Sequence, residues 1–367
     1  MYLNFTIMTQ ISQSQIIRNQ TIDILRGIAI VSMILSNLAG EILKAPHPIL
    51  VTWIGSLAAP LFVIISGYLV GYSLLNKHYP FSYFLVRGFL TLFIGACIDT
   101  FLWRSYPFVS VDILYLIGLS IPMTALFMRM NIPFKVFFLF LFFAIAPILR
   151  IQLGYADKPS FPPIWKEGNF VPFEGDNFII LKHWLIDGWF PIFSWTGIVF
   201  LGGLLSEIKL NRVELSKKDK LILGMIAIIL IIIGAFFWSS EFRLAARGNY
   251  TELFYPPTLS YYSIFIGIIL FLYLIVDIKS NSIFYSPFRI IGVSPLLFYC
   301  LHFILIVSIV APLIGKTPEK EIFVELDIFM LTFLSILIFC VLLGLIIQRF
   351  KTKITTLPFL VKFFIGG

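Results

Sequence analysis

Four residues near the start of the chain carry side chains that an apolar helix does not need. Asp23, Arg26 and Asn37 lie in TIDILRGIAIVSMILSNLAGEIL, and His47 follows in KAPHP. Ionisable groups are expensive inside a membrane, where they pair, face a bundle interior or line a pathway. The steps from Asp23 to Arg26, Ile30, Met33 and Asn37 alternate three and four residues, which sets all five on one helical face. Arg26 and Asn37 are then separated by about 16 Å at 1.5 Å per residue. An arginine can hold an anion, an amide can donate to an oxyanion, and an imidazole can serve as general base near neutral pH. Each residue also has a structural account. Asp23 and Arg26 make an interfacial ion pair with a snorkelling arginine, Asn37 a hydrogen bond between helices, and His47 an ordinary loop histidine. Prolines on both sides of His47 predict a turn that returns toward the bundle.

A second pair, His183 and Asp187, stands at i and i+4 in KHWLIDGWFPIFSW. Either the carboxylate orients the imidazole for acid–base work, or both anchor the helix end at the interface with Trp184 and Trp189. His302, in PLLFYCLHFILI, reads as a hydrogen-bonding residue between helices, and His78 in a short turn is given no role. The chain has no GxSxG elbow, no P-loop and no HExxH.

The elements that must position these residues follow from composition. Of 367 residues, 59% are hydrophobic and only 13% charged, with a mean hydropathy of +0.97. That excludes a soluble protein, because several apolar runs approach the roughly 20 residues that cross a bilayer. About ten spans are expected, at 22–42, 49–75, 82–102, 109–129, 132–150, 180–205, 220–238, 258–276, 290–312 and 326–349. The runs are continuous, not alternating, which selects an all-α polytopic integral membrane protein over a barrel.

The net charge of +8 is spread in short clusters between apolar runs, which argues against nucleic acid as a partner. The Lys and Arg bias between alternate loops predicts cytoplasmic N and C termini, with the basic loop NRVELSKKDK also inside. Cys97, Cys300 and Cys340 fall in or near spans without metal-ligand spacing, so neither a disulfide framework nor a metal site is expected. The first twenty residues lack the pattern of a removable signal, and the first span is expected to act as an uncleaved anchor. The expected organisation is a cytoplasmic segment 1–20, a single transmembrane domain 21–350 and a cytoplasmic tail 351–367. One long outer connection, Arg150 to Lys182, carries Asp157, Glu167, Glu174 and Asp176. It reads either as a lid or binding element or as a solvated connector.

Five segments together resemble one family. IDILRGIAIVSMILSN is similar to the opening D-x-x-R-G-x-A helix of the transmembrane acyltransferase superfamily, nearest to its heparan-α-glucosaminide N-acetyltransferase catalytic-domain family. APLFVIISGYLVG, WFPIFSWTGIVFLGGLL, FYPPTLSYYSIFIGIILFLY and IGVSPLLFYCLHFILI resemble later blocks of that family in the same order. The resemblance implies transfer of an acyl group, expected to be acetyl, from cytoplasmic acyl-CoA to a sugar or glycan acceptor at the non-cytoplasmic face of the cell membrane. It implies His47 as the catalytic group with Asn37 close by; Asp23 and Arg26, at the inner mouth, are expected at the acyl-CoA end, and no metal is expected. Membrane lipids and a homodimer complete the expected partners. Two departures are visible: HPILVTWIGSLAAP lacks the acid that the animal enzymes carry there, and Asn37 stands where the related acyltransferase-three family has a histidine. The alternative is a transporter or flippase for an envelope glycolipid or small solute, which an intramembrane polar track also suits.

Overall fold

The computed structural model describes residues 20–156, 161–166, 169–173, 177–210, 215–240, 252–278, 280–317, 320–353, 361 and 363–364. Segment 1–20 except Gln20, most of the tail 351–367, and the acids Asp157, Glu167, Glu174 and Asp176 lie outside these residues. Each of the ten apolar runs is helical. In order they form α1 (Gln20–Ile42), α2 (Ile49–Asn76), α3 (Phe81–Cys97), α4 (Ile113–Met128), α5 (Ile132–Leu153), the pair α6 (Asn177–Lys182) and α7 (Ile192–Leu210), α8 (Lys217–Phe237), α9 (Leu259–Ile278), the series α10 (Ser286–Gly292), α11 (Pro295–Leu305) and α12 (Ala311–Leu313), and α13 (Leu326–Lys353). Among the described residues, eight helices are long and apolar enough to cross a membrane, and nine if the α6–α7 pair is one span. The protein is an all-α polytopic membrane protein.

Three expected spans depart from a plain helix. The run 109–129 shortens to the 16 residues of α4, because residues 103–111 are bends, turns and coil and Asp112 caps the helix start. The run 180–205 bends by 44° between its halves. There the chain passes through a π-helical turn, His183–Asp187, an extended Gly188 and Pro191, which has no N–H to continue a helix. The run 290–312 breaks at Ser294, before Pro295, and carries a second π turn, Ile306–Val310. A third π turn, Ile98–Leu102, extends α3. The long outer connection contributes one short hairpin, β1 (Trp165–Lys166) against β2 (Asn169–Phe170).

Helix α1 is the axis of the bundle. It packs on α2, α9, α10, α11 and α13, and 78% of its spanning window is buried, against 11% for α8. The peripheral helices α5, α8 and α13 instead expose rows of Phe, Ile and Leu, the surface a membrane protein presents to lipid. Glycines permit the tightest crossings. A Cβ at Gly67 would overlap the Val199 carbonyl, and one at Gly202 would overlap that of Ile64, so α2 and α7 meet backbone to backbone. Gly27 against Phe288 and Gly292 against Asp23 do the same for α1 and α10. Near the opposite end, the fully buried Trp195 is ringed by Phe190, Phe254, Tyr261 and Tyr262, tying α7 to α9.

Candidate functional site

The two ends of the bundle hold cavities of opposite character. The first, of about 420 Å³, opens among α1, α2, α11 and the connections after α3 and α6. Its wall carries Glu41, Asp99, Asp112 and Glu252, with Asn37 on α1 and an aromatic roof of Trp103, Phe161 and Trp189. No Lys or Arg is among its described lining residues. The second, of about 410 Å³, lies toward the other end and is lined by Arg26, Lys77 and Arg87, with Tyr72, Tyr79 and Tyr83 beside them. No acid is among its described lining residues. Phe62, Ile113 and Tyr299 line both cavities and therefore form the wall between them.

The polar stripe of α1 spans this pair. Arg26 faces the basic cavity, its Nη1 3.1 Å from Asp23 Oδ1, so Asp23 is both ion-paired and buried. Three turns on, Asn37 faces the acidic cavity. Its Nδ2 lies 2.9 Å from Nε2 of His302, whose Nδ1 bonds the carbonyl oxygen of Tyr299 in its own helix. With Nδ1 donating to that carbonyl, Nε2 is left as the acceptor for the Asn37 amide. Asn37 is thus a bond between helices as well as a cavity residue, and the fully buried His302 is its partner.

His47 folds back on the end of α1, as the flanking prolines predict. Its Nε2 is 3.1 Å from the Leu43 carbonyl oxygen, and its side chain is half-buried at the mouth. It is not among the residues lining the acidic cavity. His183 and Asp187 do lie side by side, but at 3.9 Å, beyond hydrogen-bond length. They sit on a π turn, whose wider winding shifts i and i+4 out of direct register. His183 Nδ1 instead donates to Val109 O at 3.1 Å, and Asp187 Oδ2 takes Lys182 Nζ at 3.2 Å and the Ala156 N–H at 3.3 Å. The pair is buried behind the cavity roof, where Phe161 meets the His183 ring edge-on.

The carboxylates of the acidic cavity went unremarked in the sequence. Asp99, on the π turn after α3, accepts from Ser110 Oγ at 3.0 and 3.2 Å and from Tyr115 OH at 2.7 Å. Asp112, which starts α4, accepts from the Tyr299 hydroxyl. Ser36 donates to Glu252, and the N–H of the next residue, Leu253, donates to Ser56 Oγ on α2. Two of the three π turns, through Asp99 and Ile306, supply lining residues, and the third lies behind the roof residue Phe161. Such turns re-aim side chains and recur at functional sites. Asp99 had a readable signal, an acid inside an apolar run. Asp112 had the same signal within the run 109–129, but its pairing with Tyr299, 187 residues away, had none.

The helical membrane bundle thus holds a basic cavity toward one end and an acidic cavity toward the other, with three shared residues between them. The family model described as heparan-alpha-glucosaminide N-acetyltransferase, catalytic, matches residues 18–235, and the chain belongs to that family of membrane acetyltransferases. The match covers α1 to α8, so Tyr299, His302 and Glu252 lie beyond it. No curated protein matches the chain.

Proposed function

We propose that the protein transfers an acetyl group from acyl-CoA, bound at the basic cavity, to a sugar or glycan acceptor bound at the acidic one. The observation that carries this reading is the shared wall of Phe62, Ile113 and Tyr299. A thioester on one side and a nucleophile on the other need cross only that wall to meet.

The donor set suits the expected co-substrate. Arg26, Lys77 and Arg87 offer charge-assisted hydrogen bonds to phosphates, and the tyrosine hydroxyls offer neutral ones. Acyl-CoA would supply an acyl group activated as a thioester. The charge bias of the loops supports a cytoplasmic position for this basic end, the side on which acyl-CoA is made. On the other side, Asn37 presents an amide to the developing oxyanion, and His47 takes the acceptor's proton at the outer mouth. His183 and Asp187 hold the roof over the acceptor, not the proton itself.

The test is thermal unfolding of the purified protein with and without CoA, followed by acetyl transfer from labelled acetyl-CoA to membrane material. CoA should raise the unfolding temperature, and His47→Ala should lower the transfer rate by on the order of 10²-fold or more. A sugar transporter would ignore CoA, and that result would sink the acyltransferase reading. Transfer at an unchanged rate in His47→Ala would remove only His47.

A further inference from the structure

The wall between the cavities is itself chemically uneven. Phe62 and Ile113 are apolar and cannot carry a proton, whereas Tyr299 can. Its ring is buried, and its hydroxyl is hydrogen-bonded to the carboxylate of Asp112, which lines the acidic cavity alone. Tyr299 is therefore the one proton-carrying side chain common to both cavities among their described lining residues. Asp99, the neighbouring acid, has both oxygens engaged by Ser110 and Tyr115. Asp112 accepts from the Tyr299 hydroxyl.

This arrangement meets a need of the proposed reaction, on which the inference rests. The acceptor loses a proton in the acidic cavity, while the thiol sulfur leaves into the basic one. The proton must cross the wall. We propose that Tyr299, held by Asp112, is the catalytic acid that protonates the leaving sulfur. The acceptor's nitrogen or oxygen attacks the thioester carbonyl carbon and gives up its proton, a carbon–nitrogen or carbon–oxygen bond forms and the carbon–sulfur bond breaks. The acceptor's proton leaves through the outer base, the phenolic proton of Tyr299 passes to sulfur, and a proton from the acidic cavity returns through Asp112 to the phenolate. The products are the acetylated acceptor and the free thiol, and no charge accumulates at the wall.

At rest the phenol donates to the Asp112 carboxylate. Once Asp112 carries a proton the bond reverses, with Asp112 donating to the phenol oxygen and the phenolic proton freed toward sulfur. The same helix holds His302 one turn further on, bonded to Asn37. The acid, the oxyanion donor and the wall are thus fixed to each other through α11 and α1. A purely structural tyrosine would need neither an acid partner nor a place in both cavities.

The experiment compares wild type, Tyr299→Phe and Asp112→Asn in isolated membranes, measuring acetyl incorporation into membrane acceptors and added glucosamine. Two donors are used, acetyl-CoA and the acetyl thioester of a strongly acidic aryl thiol, whose thiolate leaves without a proton. Tyr299→Phe keeps the ring and the wall. With acetyl-CoA it should lose roughly 10²-fold or more in kcat, at a donor KM within about twofold of wild type. With the aryl thioester most of that loss should vanish. Asp112→Asn should show the same donor dependence in weaker form. Equal losses on both donors would overturn the proton role, as would an undiminished rate on acetyl-CoA. CoA-induced thermal stabilisation of each variant reports folding and donor binding separately. If wild type neither binds CoA nor incorporates acetyl, the acyltransferase reading and the relay fall together. If wild type does both and Tyr299→Phe matches it, the relay alone falls.

Discussion

Asn37 on α1 and His302 on α11 meet at 2.9 Å although 265 residues separate them in the chain. The contact ties the central helix to the helix that supplies the wall residue Tyr299. A buried acceptor left without its donor costs about 1–3 kcal/mol. Asn37→Ala should therefore lower stability by that order, even without any loss of chemistry. His302→Leu should cost a similar amount by orphaning the amide. The double variant should be less destabilised than the sum of the two, with a coupling of about 0.6–2 kcal/mol. Unfolding in detergent as a function of denaturant measures all three. Strict additivity would mean that the two side chains do not meet.

The basic cavity predicts a division between binding and chemistry. Arg87 donates to Tyr83 OH at 2.7 Å and its guanidinium lies 5.2 Å from the Phe363 ring, so it is held in place inside the cavity. Arg87→Ala should raise the KM for acetyl-CoA about tenfold, the equivalent of about 1.4 kcal/mol, and leave kcat within a few-fold. Removing a group that binds ground and transition states alike has that signature. The shift should be smaller at high salt, because an exposed charge pair is screened. Steady-state kinetics at two ionic strengths would check it, and a kcat loss without a KM change would count against a donor-binding role.

How much of this was legible in the sequence depends on whether the signal was local. The ten helices, the polar face of α1 and the return of KAPHP toward the bundle all rest on spacing within one segment. The blocks that resembled the family proved informative for the same reason, since Gly27, Gly67 and Gly202 mark close crossings. The wall was not legible. Phe62, Ile113 and Tyr299 come from three helices and have nothing local that distinguishes them from lipid-facing residues. His302 was readable as a polar group in need of a partner, but not that the partner was Asn37. The reading of His183 and Asp187 assumed α-helical winding, and the π turn that displaces them has no clear local signature.

The outer rim of the acidic cavity predicts a pH dependence. Lys316 Nζ lies 2.9 Å from Glu41 Oε1 and 3.0 Å from Glu321 Oε2, joining the cavity residue Glu41 to the loop before α13. Burial alone disfavours the Lys316 ammonium. Hydrogen bonds and charge from Glu41 and Glu321 outweigh it and hold its pKa above the ordinary 10.5. A lysine with a raised folded-state pKa contributes stability that is complete below its unfolded pKa and lost as pH climbs through the folded one. Lys316→Met should therefore be less stable than wild type at neutral pH, and the difference should close above about pH 10.4. Thermal unfolding of both proteins across that alkaline window measures it. A difference that persisted undiminished above it would point to packing by the lysine stem, not to its charge.

The close crossing of α2 and α7 is permitted by glycine. A Cβ at Gly67 would overlap the Val199 carbonyl and one at Gly202 that of Ile64, so the obstacle is backbone that cannot rotate away. Either the helices separate, with loss of packing along both, or the protein fails to fold. Gly67→Ala and Gly202→Ala should thus cost more than the 1–3 kcal/mol typical of overpacking with movable side chains. Gly224, in the exposed α8, supplies the control. A Cβ there would meet only Leu274 Cδ1, at 3.9 Å, which is ordinary contact. Gly224→Ala should leave stability unchanged or raise it by about 0.5–1 kcal/mol, because alanine loses less backbone freedom in a helix. Expression level and unfolding temperature of the three variants decide the matter. If Gly67→Ala behaved like Gly224→Ala, α2 and α7 would not cross as closely as their carbonyls require.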